Sequence, residues 1–319
     1  MCFTSAFRAS TPLRAGTTGG VATISVVITT HNEGRELRRT IKSIQRNTQR
    51  LREILVVDDG STDGHCAGLE GFGATLIRHD RRKGVAASRH EATRLAVGEV
   101  VAYLDGHQRV SWKCLDRMAD VALEHDAIVS VDACNFSFLA TIAYGADFQL
   151  CPHRGFFSAR WNHRRPTCLL SRVTSLKAPA YVLPRSIYEK IHWIKALRGW
   201  GGSEAALSLK AFFAGIYILH LHGPLAKHRF RRAFPYTTTW DEVWRNQALI
   251  ARVCFDDRTW YDYWLPQVFE KQLSSQTLRE LESDCVVTEH LAFMATKSRS
   301  DQEFWAQLLR QDVPPCLRR

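Results

Sequence analysis

Between residues 23 and 107 the chain alternates apolar runs that stop at polar residues with stretches of helical period. That alternation restricts it to very few architectures. TISVVITT (23–30) is β-branched and almost continuously apolar, as suits a strand covered on both faces. It breaks at HNEG, after which Leu37, Ile41 and Ile44 recur at helical spacing. EILVVDDGSTDG (53–64) and ATLIRHD (74–80) read as two more strands. GVAASRHEATRLAVG (84–98) reads as a helix with Gly98 as its stop, and EVVAYLDGH (99–107) as a fourth strand. The pattern implies an α/β fold with a parallel sheet and right-handed crossovers. Ligands bind such sheets beyond the carboxyl ends of the strands, so His31, Asp59 and Asp105 should meet in one crevice.

The fourth strand ends on an acid, a glycine and a histidine. Residues two apart on extended backbone project the same way. Asp105 and His107 therefore suit either a cation held between them or a plain turn built on Asp105 and Gly106.

A chain of 319 residues can bury a sizeable core. Its net charge of +11 calls for an anionic partner, and basic residues cluster in IRHDRRKG, WNHRRP and KHRFRR. No nucleic-acid module is recognisable, so nucleic acid is not an expected partner. No apolar run approaches the roughly 20 residues that span a bilayer. Nine scattered cysteines without a CxxC pair argue against a disulfide framework and a cysteine zinc site. They fit reduced thiols and a cytoplasmic location. Residues 1–22 read as a disordered leader.

SVVITTHNEGRELRRTIKSI followed by EILVVDDGSTDG resembles the nucleotide-binding half of family 2 glycosyltransferases, which have the GT-A fold. The HNE and LDGH segments look more like the polypeptide N-acetylgalactosaminyltransferases of family 27, whose motif is Asp-x-His. The resemblance implies a Rossmann-like, mostly parallel sheet with a helical C-terminal segment. It also implies a UDP-sugar donor and a bound Mn²⁺, with Mg²⁺ as the alternative. Carried over by position, Thr29 and His31 would line the base pocket and Asp59 would accept from the uracil imide. Arg89 would reach toward the diphosphate or ribose, and Asp105 would touch metal and ribose with His107 as a second metal ligand. Glu33 and Asp58 read as residues that hold the loop and strand ends.

LHLHGPLAKHRFRRAFPY (219–236) offers His220, His222 and His228 as a third ligand, and spacing alone does not choose among them. HRFRRAFPY is similar to the family's His-x-Phe-Arg segment, which singles out His228. Arg231 and Tyr236 then match diphosphate contacts, while Phe234 stands where the family has histidine. Toward the acceptor, Ala178 and Pro179 replace two family glycines. Ser203 and Glu204 stand where the family has Glu-Asn against the donor sugar. Trp200, among three glycines, matches a gating tryptophan over the nucleotide, and also reads as a core residue. In inverting family 2 enzymes the place of Glu204 holds the acceptor's general base. A sugar contact and a cap of the following helix are the other readings.

The chain then divides into a leader (1–22), a nucleotide-binding half (23–110), an acceptor and donor-sugar half of the same domain (111–236) and a helical extension (237–319). Trp240, Trp244, Trp260, Tyr261, Tyr263 and Trp264 in the extension read as core. The family's membrane anchor and lectin domain have no counterpart, which points to a stripped, bacterial-type enzyme. The expected activity is transfer of a hexose or N-acetylhexosamine from UDP to a peptide or small-molecule hydroxyl, leaning toward inversion. Alternatives are a retaining enzyme, a nucleotidyltransferase (which TTHNEG, lacking a basic glycine-rich loop, disfavours) and a binding module without activity. Retention of the three ligands and Glu204 argues against the last.

Overall fold

The structure is a computed structural model that describes residues 22–137, 141–151, 156–177, 180–231 and 237–318. Except for Ala22, the leader lies outside them. In chain order the elements are β1 (Ile24–Thr30), α1 (Glu36–Asn47), β2 (Leu51–Asp59), β3 (Thr75–His79), α2 (Val85–Leu95), β4 (Val100–Asp105) and β5 (Gln108–Val110). There follow α3 (Cys114–His125), β6 (Ile128–Cys134), β7 (Ala146–Cys151), β8 (Phe156–Trp161), β9 (Leu170–Val173) and β10 (Tyr181–Pro184). Then come α4 (Arg185–Ile191), α5 (Ser203–Phe213), β11 (Ile218–His228) and α6 (Trp240–Cys254), with short helical segments beyond.

The main sheet runs β3-β2-β1-β4-β10-β6-β11-β5, with β9 paired to β11, and β7 and β8 form a separate hairpin. The first four strands are parallel, as their apolar runs predict. β10 enters antiparallel between β4 and β6, and β11 lies parallel to β6. Side chains alternate between two cores, one on each face of the sheet. Val26, Ile28, Val56 and Leu104 pack with α1 and α3. Val27, Val57, Val101 and Tyr103 face the cluster built with α4, α5 and α6.

Two local expectations need correction. The helix after Gly84 ends at Leu95, ahead of Gly98. Gly98 serves packing instead, because a Cβ there would lie 2.5 Å from the Ser25 nitrogen. Among the aromatics of the extension, Trp260 and Trp264 are buried in the core, but Trp240 is 62% and Tyr261 47% exposed. Trp240 is the first residue of α6, so its side chain leaves the element before the helix reaches the core. The eight described cysteines are free. No helix among the described residues is long and apolar enough to cross a membrane.

Candidate active site

Because β10 is antiparallel to both β4 and β6, strands β1, β2, β4 and β11 all point their carboxyl ends to one edge. Backbone register then fixes the neighbours. Thr29 stands opposite Asp105. The three-residue β5, directly after the turn, pairs with the end of β11 and sets Gln108 opposite His228. The Arg229 N–H donates to the His107 carbonyl at 3.2 Å. Asp105, His107 and His228 consequently offer ligand atoms all within 4.8 Å of one another. The two rings lie 4.6 Å apart, and His228 Nε2 is 3.2 Å from Asp105 Oδ2. The turn and the cluster are thus the same feature.

Glu33 sets the orientation of this group. Its Oε1 lies 2.9 Å from His107 Nδ1 and its other oxygen accepts from Arg231. With Nδ1–H committed to a carboxylate, His107 presents the Nε2 lone pair, the usual arrangement for a metal-ligating imidazole. Gly106 makes room for it, since a Cβ there would come within 2.9 Å of Glu33 Cγ.

Beneath the cluster, Arg89 is fully buried. It donates to Glu204 Oε1 at 2.5 Å, to Asp105 Oδ1 at 3.2 Å and to the Tyr181 hydroxyl at 2.7 Å. Burial works against its charge, yet Tyr181, Glu204 and Asp105 hold its pKa above the ordinary arginine value. Burial would likewise raise Asp105. The hydrogen bond with His228 and the charges of Arg89, His228 and His107 hold it well below the usual carboxylate range. Glu204 sits in the first turn of α5, where its Oε2 accepts from Ser203 Oγ at 2.7 Å. The N-cap residue is Gly202, which has no side chain, and Glu204 is the acid of the first turn, the place that the capping alternative requires.

On the base side, Thr29 and His31 line the cleft, and His31 Nδ1 lies 2.8 Å from the Asp59 carbonyl. Asp59 is nearly sealed. Its Oδ1 accepts from Lys83 N and lies beside His79 Nδ1, both at 2.8 Å, while Oδ2 accepts from Gly84 N at 2.8 Å. Asp58 holds the turn after β2, accepting from Ser61 N at 2.9 Å and from Arg78 at 2.6 Å.

One cleft of about 490 Å³ gathers Thr29, His31, Asp59, Arg89, Asp105, His107, Trp200, Ser203, Glu204, His228 and Arg231. Ala178, Pro179 and Tyr236 lie outside the described residues. The 199–202 loop reaches the cleft through a backbone bridge between Gly84 and Gly199. There both residues are left-handed, at φ 105° and 57°. Trp200, on this loop, is 38% exposed. Among the wall residues that the sequence reading did not assign to the site are Arg82, Lys177 and Gln247. Lys177 donates to the Ala159 carbonyl at 2.8 Å, and burial lowers its pKa. Gln247 belongs to α6, and its Oε1 accepts from Phe157 N at 3.0 Å. No spacing in the sequence marks any of the three.

Residues 25–190 match the family described as Glycosyl transferase family 2. Polypeptide N-acetylgalactosaminyltransferase 8 of Drosophila melanogaster is 28% identical over 228 residues, covering 65% of this chain and 38% of that protein. The human enzyme numbered 6 is 26% identical over 317 residues, 91% of this chain and 49% of its own length. The chain thus spans less than half of either relative. Among solved structures, GalNAc-T7 with UDP, GalNAc and Mn²⁺ superposes with a TM-score of 0.73 at 20% identity, covering 92% of this chain and 57% of that one. S. aureus TarS 1-349 in complex with UDP-GlcNAc reaches 0.50 at 15% identity, covering 86% and 82%. The architecture is the GT-A fold.

Proposed function

Since the chain belongs to glycosyl transferase family 2, we propose that it transfers a hexosyl or N-acetylhexosaminyl group from a UDP-sugar to an acceptor hydroxyl, with inversion. The observation that carries this reading is the meeting of Asp105, His107 and His228 with Glu204 in one cleft. The acceptor is a peptide or a small molecule.

Asp105, His107 and His228 fit a divalent cation: one carboxylate and two imidazoles, the first ring already oriented by Glu33. Two nitrogen donors favour Mn²⁺ over Mg²⁺. When bound, the ion neutralises charge on the departing diphosphate. The remaining tasks belong to the chain. Thr29 and His31 enclose the uracil. Asp59 offers it the one acceptor site left after its three contacts. Arg231 adds a fork of donors beside the diphosphate. Arg89 holds Glu204 in position, and Glu204 takes the acceptor proton as general base.

Replacing Glu204 by Gln keeps the shape and removes the base. The rate should fall at least ~10²-fold while UDP-sugar affinity changes little, as calorimetry would report. The wild-type product should be β-linked when the donor is α-linked, read from the NMR coupling constant of the anomeric proton. A second reading, retention, draws on the similarity to polypeptide N-acetylgalactosaminyltransferases. An α-linked product would establish it and reduce Glu204 to a sugar contact.

A further inference from the structure

His220 and His222, two apart on β11, point to one face of the sheet and meet Asp132 of the neighbouring β6. The transfer reaction uses none of the three. His220 Nε2 and His222 Nδ1 lie 3.1 and 3.0 Å from the same oxygen, Asp132 Oδ1. The outward atoms are tied down as well. His220 Nδ1 is 2.8 Å from Ser130 Oγ, His222 Nε2 is 2.9 Å from Ser171 Oγ, and Asp132 Oδ2 accepts from Gly223 N at 2.9 Å.

Ser130 Oγ lies 2.8 Å from His220 Nδ1 and 3.4 Å from the Leu219 carbonyl, so the ring can give its Nδ1–H to the serine oxygen and turn its Nε2 lone pair toward Asp132 Oδ1 at 3.1 Å. In that tautomer a cation between the two takes the place of the Nε2–H hydrogen bond that the other tautomer makes to the carboxylate. A tetrahedral ion with bonds of about 2.0–2.1 Å spaces its ligand atoms roughly 3.3 Å apart, close to the separations seen. Hydroxyl and backbone partners on the outer atoms are the supports that metal-ligating imidazoles and carboxylates ordinarily have.

We propose that Asp132, His220 and His222 form a second metal site, suited to Zn²⁺ and independent of the donor-side cation. Two imidazoles and one carboxylate match the donor preference of this borderline ion. Three protein ligands leave a fourth position for water or an anion. His222 and Ser171 line a second cleft of about 720 Å³, whose walls also carry Arg160, Arg172 and Arg299. The ion clasps β11 to β6 where their pairing shifts register between Leu221 and Leu225. His222 and His228 lie six positions apart on β11, with the register shift between them, and the two clusters share no ligand, so either site can be removed alone.

The test begins with a His107→Ala/His228→Ala double variant, which lacks the donor-side ligands but keeps the cluster intact. Calorimetric titration with Zn²⁺ should find one equivalent bound. Co²⁺ in its place should give the strong visible bands of a tetrahedral ion without thiolate charge-transfer absorption. Adding His222→Gln should weaken Zn²⁺ binding at least ~100-fold, with circular dichroism checking that the fold is kept. Failure of the double variant to bind an equivalent would overturn the proposal, and that result needs no substitution within the cluster. Cobalt–thiolate bands would overturn it too, as would binding indifferent to His222→Gln. None of these outcomes bears on sugar transfer.

Discussion

Glu33 divides one carboxylate between His107 and Arg231, so it governs both the metal-facing ring and the proposed diphosphate contact. Glu33→Gln should weaken Mn²⁺ binding about 10–100-fold, the range for lost outer partners of metal ligands. Titration followed by electron paramagnetic resonance measures this, and unchanged affinity would remove Glu33 from the account. Asp59 is a second such point. An amide at Asp59 presents an N–H as well as an acceptor to the uracil imide, so Asp59→Asn should cost about 1–3 kcal/mol in UDP binding. Calorimetry with equal affinity for both proteins, or tighter GDP than UDP binding, would retire the uridine assignment. Asp105 and His107 were legible as an Asp-x-His pair at a strand end, but β4 stops at Asp105 and His107 lies in the turn to β5, so the turn and not strand alternation brings the two together. The dual contact of Glu33 was not legible. It depends on how the 31–34 loop folds over the β4–β5 turn, and no periodicity encodes that. Arg89, expected to reach toward diphosphate or ribose, lines the cleft and is held there by Glu204, Asp105 and Tyr181. A buried bridge of this kind is invisible until β10 brings Tyr181 alongside.

At the scale of elements, the close crossing of Gly84 and Gly199 joins the nucleotide half to the 199–202 loop. A Cβ on Gly84 would lie 2.3 Å from the Gly199 nitrogen, at φ +105°. Gly84→Ala should therefore destabilise the fold by more than ~2 kcal/mol. Gly64→Ala, at φ +68° with nothing within 4 Å, should cost only about 1 kcal/mol. Urea unfolding compares the two, and equal losses would mean the crossing is not tight. The joint of α2 with α4 carries a pH dependence. His90 Nδ1 lies 2.5 Å from the Tyr188 hydroxyl. Burial, then Lys195, His192, Arg94 and Lys210, lowers its pKa from 6.5 to about 4. The unfolded chain takes up a proton that the folded one refuses, so stability falls as pH drops from about 6.5 toward about 4. The loss is on the order of 2–3 kcal/mol. His90→Gln should flatten the dependence across that interval, and an unchanged slope would exclude His90 as its source. The first four strands could be read directly because doubly covered parallel strands are continuous apolar runs. β5, β9 and β10 have only three or four residues each. Their partners, not their own patterns, define them. Trp240 and Tyr261 reached the surface because aromatic spacing does not say which side of a helix faces the core.

For the whole molecule, part of the charge of +11 gathers in the second cleft. Arg160, Arg164, Arg172, Arg299 and Arg310 face a single acid, Asp147, in the second, whereas Arg89 and Arg231 in the first are paired with Glu204, Asp105 and Glu33. The ordering of motifs along the chain made the GT-A fold readable. The acceptor side was less so, because Ala178, Pro179, Ser203 and Glu204 all depart from the pattern it resembles. The most direct measurement is UDP release by the purified chain across a panel of UDP-sugars, before and after chelation and after Mn²⁺ is restored. At least one donor should be turned over, with activity falling at least ~10²-fold on metal removal and returning with Mn²⁺. Turnover indifferent to chelation, or no turnover of any UDP-sugar, would contradict the account.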